Sequence, residues 1–128
     1  MPRKVLQVLE IAYRCNVEEQ DDPVVWITHA MKGAGADLHL LLRGNAVNYA
    51  VKGQDVSGLS FGGKKQTQPA KIDEDVAKLI GKGVDVYFVE DDAAERGLER
   101  SDLIAGVKPV SRSGLPKLFS SYDQIWHW

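Results

Sequence analysis

Apolar positions along this chain fall into short unbroken runs, separated by stretches in which they recur at helical spacing. The run from Lys4 to Ala12 is rich in Val, Leu and Ile and reads as a first strand buried on most of both faces. A polar stretch from Tyr13 to Asp21 leads to Asp22-Pro23, a capping residue followed by proline at the first helical position. Val24, Ile27 and Met31 then predict a helix from about Pro23 to Lys32, stopped by Gly33 and Gly35. Asp37 to Leu42 is a second buried strand, and Ala46, Val47, Ala50 and Val51 mark a short helix ending at Gly53. Periodicity then lapses. Residues 54–69, with Gly58, Gly62, Gly63 and Pro69, read as an excursion long enough to be functional or mobile, and one that becomes ordered against a partner.

Beyond it, Ile72 opens a helix with acidic residues in its first turn and Val76, Leu79 and Ile80 on its buried stripe. Val84–Val89 is the third strand, Asp91 or Asp92 caps a short helix from Ala93 to Arg96, and Val107–Val110 is the fourth strand. Ser113 to Ser120 is helical and Gln124 to Trp128 is a terminal strand. Strands alternating with helices imply βαβ units. The expected fold is therefore α/β: a three-layer α/β/α sandwich on a mostly parallel sheet of about five strands, formed by residues 1–128 as one domain.

Composition narrows the function. The chain has 128 residues, 44% hydrophobic, with 16 Lys+Arg against 18 Asp+Glu and a net charge of −2. That balance lacks the basic excess of a nucleic-acid binder, and no run reaches the ~20 apolar residues that span a bilayer. Neither nucleic acid nor membrane is an expected partner. A single cysteine, Cys15, excludes an intramolecular disulfide and a Cys-based zinc site within one chain. The basic N-terminus is followed by a short apolar stretch interrupted by Gln7 and Glu10, unlike a secretory signal. A cytoplasmic protein is the expectation, with no metal and no cofactor.

In open parallel sheets, ligands bind beyond the carboxyl ends of the strands, where loops and helix N-termini converge. This rule selects Arg14 and Cys15 after the first strand, Arg43 and Asn45 after the second, Glu90, Asp91 and Asp92 after the third, and Ser111, Arg112 and Ser113 after the fourth. Together they suit an anion or a persulfide; the plainer reading is a set of polar loop tips and caps. Cys15 is the one strong nucleophile, and Arg14, Arg43 and Arg112 would favour its thiolate. Gly58 to Lys64 has the spacing of a phosphate loop, but Lys65 stands where Ser or Thr should follow, and the stretch does not join a strand to a helix. The basic loop is better matched to the charge pattern: residues 43–71 hold five basic side chains and one acidic, whereas 85–102 hold seven acidic and two basic, an asymmetry able to align neighbouring subunits. His29, His39 and His127 stand in no metal-ligand spacing.

Three stretches resemble a known family. Leu41 to Ala50 resembles its strand, Gly-containing turn and helix; Val84 to Leu98 resembles its strand and short helix ending in Arg-Gly-hydrophobic; and Leu115 to Trp128 is similar to the end of its DsrH/TusB-type subunits. The family is the DsrE/DsrF/DsrH-like group of sulfur-relay proteins, which includes TusB, TusC and TusD. The resemblance covers most of the chain except about 54–69. It implies a parallel α/β/α sandwich, assembly as a homo-oligomer (trimer or hexamer) or with related sulfur-relay subunits, and transfer of sulfane sulfur as a cysteine persulfide. In DsrE- and TusD-type subunits the carrier cysteine lies eight residues before the Arg-Gly glycine. Here that position is Val89, which cannot hold a persulfide. The resemblance thus implies a divergent or accessory member, at most a sulfurtransferase-type carrier, with Cys15 as the candidate sulfur acceptor because some DsrH-type subunits carry a cysteine in a comparable place. The alternative is a non-catalytic oligomeric binding or scaffold protein with a small anion or ligand pocket at the strand ends. Ile125, Trp126 and Trp128 crowd the terminus and are candidates for packing between subunits.

Overall fold

The five strands pair in the order β6-β5-β2-β1-β7, every neighbour parallel. They are β1 (Val5–Leu9), β2 (Leu38–Leu42), β5 (Val86–Val89), β6 (Lys108–Val110) and β7 (Gln124–His127), while β3 (Ser60–Phe61) and β4 (Lys64–Lys65) form a separate antiparallel hairpin. The computed structural model describes residues 3–13, 22–54 and 58–128. Arg14 and Cys15 therefore lie outside the described residues.

Central strands β1 and β2 are buried at every position, as their mostly apolar runs require of strands covered on both faces, with Gln7 and His39 the buried polar exceptions. One face is packed by α1 (Pro23–Gly33), α2 (Ile72–Gly81) and the 3-10 segment Gly44–Ala50 around Val25, Leu40, Tyr49, Val76 and Leu79. The other is covered by α4 (Leu115–Ser120), whose Leu115 meets Leu6, Val8, Leu41, Val89 and Tyr122. Asp22 caps α1, accepting from the Val24 and Val25 amides at 2.8 and 3.2 Å, with Pro23 supplying the preset φ of the first turn.

Several boundaries differ from the pattern. The first strand ends at Leu9 rather than Ala12, so Glu10 and Ile11 leave the sheet. The segment after β2 is a 3-10 helix from Gly44, with the Ala46 amide bonded to the Arg43 carbonyl. Helix α3 (Glu90–Glu95) begins directly after Val89, whose apolar side chain cannot cap it; Asp91 and Asp92, expected as caps, lie inside its first turn, and the Asp92 carboxylate accepts from Gly44 and Arg112 instead. The excursion at 54–69 contains the β3–β4 hairpin, turning at Gly62-Gly63 with φ of 54° and 80°, the left-handed pair of a type I′ turn. The segment with phosphate-loop spacing is thus built into a hairpin, not between a strand and a helix. The C-terminal strand is docked on β1 within its own sheet, leaving Ile125 and Trp128 40% and 44% exposed. No helix among the described residues is long and apolar enough to cross a membrane.

Candidate functional site at the carboxyl ends of the strands

A cleft of about 460 Å³ opens where β1, β2 and β5 end. Its floor is apolar, from Val89 and Leu115; its walls carry Arg43, Arg96 and Arg112 against Glu10 and Asp92. Three cations against two carboxylates leave an excess of one positive charge.

Each wall residue is placed by a local feature of the chain. Asp92 sits in the first turn of α3 and is 8% exposed. Its two oxygens accept from the Gly44 amide at 2.7 Å and from an Arg112 terminal nitrogen at 2.6 Å, tying the ends of β2, β5 and β6 together. Burial pushes the Asp92 carboxyl up, but the Gly44 N–H, the Arg112 guanidinium and the nearby Arg96 charge outweigh it and hold the group below the usual carboxylate range. Arg96, four residues on, donates from Nε and a terminal nitrogen to Asn45 Oδ1 at 3.2 and 2.8 Å, and to the Asp92 carbonyl at 3.0 Å. Arg112 also reaches Glu95 at 3.1 Å; its bonds to Asp92 and then Glu95 raise an already high pKa. Arg43 Nε pairs with Glu10 at 2.8 Å, and His127 Nε2 lies 3.3 Å from the same oxygen.

Guanidinium carries five N–H donors. Among the described residues, Arg43 spends only its Nε, and the Arg112 side chain only one terminal nitrogen. Both therefore keep donors for a ligand, in the fork geometry that suits carboxylate, sulfur oxyanion or phosphate.

The strand-end rule brought Arg43, Asn45, Asp92 and Arg112 to one cleft. The other candidates stand around it. Asp91 accepts the Arg112 amide at 2.8 Å, Ser111 Oγ accepts the Gly114 amide at 3.1 Å and lies 3.1 Å from Ser113 Oγ, and Glu90 is exposed on α3. These four hold turns or face solvent and do not line the cleft. Glu10 and Arg96 were not among the candidates, whereas Asp92 stands in the strand-end segment Glu90-Asp91-Asp92 that the rule selects. The i, i+4 spacing of Asp92 and Arg96 would have put both on one helix face had α3 been started at Glu90. Glu10 was concealed by a strand drawn too long. No group of three or more His, Cys, Asp or Glu among the described residues is placed to hold a metal ion.

No protein-family model matches the chain, and no curated protein matches it in sequence. Solved structures do. The crystal structure of the ychN protein from E. coli matches with a TM-score of 0.73 at 19% identity, over 100% of both chains. The chain has the fold of ychN. A protein of unknown function, MTH1491 from Methanobacterium thermoautotrophicum, matches with a TM-score of 0.60 at 18% identity, over 98% of this chain and 99% of that one. The conserved protein of unknown function BT1422 from Bacteroides thetaiotaomicron gives 0.65 at 13% identity, over 98% and 95%. The shared fold is the α/β arrangement with a five-stranded parallel sheet flanked by helices that the sequence pattern predicts. At these identities the likeness establishes the fold.

Proposed function

We propose that the protein is a divergent or accessory member of a sulfur-relay system, whose cleft binds a small anionic ligand and whose Cys15 is the candidate sulfur acceptor. The observation that carries the anion reading is the pair Arg43 and Arg112, both lining the cleft with N–H donors unspent among the described residues. Val89 forms the cleft floor and is 1% exposed, so the third strand offers no thiol there. Cys15 follows the cleft-lining Ile11 by four residues in the chain. In the transfer, the Cys15 thiolate attacks the outer sulfur of a donor persulfide; the donor S–S bond breaks, its thiolate leaves, and Cys15 becomes the persulfide with no net redox change.

Two measurements test the two parts. Intact mass after incubation with a low-molecular-weight persulfide is expected to show one added sulfur atom in wild type and none in Cys15→Ser; equal gain, or none in either, removes the carrier role. Calorimetric titration with thiosulfate is expected to show binding that weakens about tenfold or more in Arg112→Gln, the loss of a charge-assisted hydrogen bond. Unchanged affinity in Arg112→Gln and Arg43→Gln removes the anion site.

The non-catalytic reading is favoured by one observation: every cleft arginine already has a polar side-chain partner, the arrangement of a structural network. It is the conclusion if thiosulfate binds and Cys15 takes no sulfur.

A further inference from the structure

The β3–β4 hairpin projects two features that the rest of the fold does not use. Phe61 is 74% exposed, the most exposed large apolar side chain among the described residues, and Lys64 and Lys65 beside it are exposed as well. Phe61 and Lys64 are direct cross-strand partners, so both stand on one face of the ribbon, while Ser60 and Lys65 occupy the other. An isolated two-stranded ribbon is marginal in water, yet this one is specified locally. Its Gly62-Gly63 turn has the I′ geometry, and the Gln66 amide bonds the Leu59 carbonyl at 2.7 Å. A shaped, cationic arm with an aromatic side chain held in water is a docking element.

The chain also carries a surface that complements it. Helix α3 turns Ala93 inward and Asp92 toward the cleft, leaving Glu90, Ala94 and Glu95 exposed on its outer side. Ala94 is a small apolar footing between two carboxylates. The exposed charges are opposite in sign, Lys64 and Lys65 on the hairpin against Glu90 and Glu95 on α3. The two surfaces are joined by the direction of the chain: the hairpin precedes α2, whose first residue follows the excursion from the carboxyl end of β2, and α3 leaves the carboxyl end of β5. Both therefore belong to the end of the sheet that holds the cleft.

We propose that the β3–β4 hairpin is the docking arm for a second copy of this chain, with Phe61 seated on that copy's Ala94 and Lys64, on the same face as Phe61, paired with its Glu90. The inference is independent of what the cleft binds. Because Glu95, next to Ala94, holds Arg112, the arm seated on Ala94 reaches the rim of the neighbour's cleft and joins assembly to the site.

The experiment replaces Phe61 with a benzophenone amino acid, irradiates, and maps adducts after trypsin digestion. The expected adduct lies on the peptide spanning residues 83–96 of a second copy. In parallel, sedimentation equilibrium is expected to show an oligomer for wild type and a monomer for Lys64→Glu and for Glu90→Lys, each with a melting temperature near wild type because both side chains are exposed. Combining the two reversals in one chain restores complementarity and is expected to restore the oligomer. A monomeric wild type, an oligomer indifferent to the reversals, no recovery in the combined chain, or an adduct on another peptide or another macromolecule overturns the proposal.

Discussion

The hydroxyl of Tyr49 donates to the buried carboxylate of Asp22 at 2.6 Å, and the same oxygen accepts the backbone N–H of Tyr13. One phenol thus holds both flanks of the segment that contains Cys15. Burial, and then the Asp22 carboxylate that accepts its proton, push the Tyr49 pKa far above the usual phenol value, so the group stays a neutral donor throughout the accessible pH range. Tyr49→Phe keeps the ring and its edge-on contact with Tyr13, centroids 5.0 Å apart, but leaves an amide and a carboxylate oxygen without this partner. It is expected to cost about 1–3 kcal/mol in urea unfolding. Amide exchange at Tyr13 and alkylation of Cys15 should both accelerate; unchanged rates would mean that the phenol does not hold the segment.

Asp92 gives stability a defined pH dependence. Its folded pKa lies below the unfolded value near 3.9, so its contribution is complete above about pH 4 and is lost as pH falls through the folded pKa. Asp92→Asn should therefore be about 1–3 kcal/mol less stable than wild type at pH 7. The gap should narrow progressively below pH 4, which urea midpoints at pH 7, 4 and 3 will read directly. A gap of constant size would assign the effect to shape and not to charge.

Much of the fold could be read from the chain because its central strands have no exposed face. Short, mostly apolar runs such as Leu38–Leu42 read as strands between two layers, and the glycine-bounded periodic stretches between them read as crossovers. The ends of elements were less legible, since they are decided by tertiary partners. Asp92 looks like a helix cap in isolation, and becomes a cleft residue only because Gly44 and Arg112 arrive from other strands. The hairpin was missed because two-residue strands carry no periodicity, although Gly62-Gly63 is itself a turn signal. Rules of chain topology located the cleft, but they could not separate Arg43, which lines it, from Ser113, which stands beside it.

Gln7 is a buried polar residue in the middle of β1, and both ends of its amide are used. Nε2 donates to Thr28 Oγ1 on α1 at 2.6 Å, and Oε1 accepts from the Trp128 indole at 3.1 Å. Gln7→Ala should destabilise by about 1–3 kcal/mol, with Trp128→Phe costing less because only one bond is lost. A double-mutant cycle on the two residues is expected to show coupling; additive effects would mean that the indole bond carries no free energy.

Gly106 has φ of +97°, and a Cβ there would meet Ile80 Cγ2 at 2.9 Å. Gly106→Ala combines a disfavoured backbone with an overlap on α2, and about 1–3 kcal/mol of destabilisation is expected by thermal unfolding. Ile80→Ala removes the Cγ2 methyl that the new Cβ would meet, whereas Ile80→Val would keep it and lose only Cδ1. A Gly106→Ala/Ile80→Ala double variant less destabilised than the sum of the two single changes would separate steric overlap from backbone strain.

The pairing of β1 with β7 sets the order in which the sheet can be completed. Lys4 and Asp123, bonded through the Lys4 amide at 2.8 Å, are 119 residues apart. During synthesis β1, β2, β5 and β6 emerge before β7 and can assemble as a four-stranded sheet. Until β7 docks, one edge of β1 carries unpaired backbone groups, open to any passing strand. A partly made chain is therefore more prone to self-association than the finished sheet, and closing that edge is a non-local step that local structure alone does not speed.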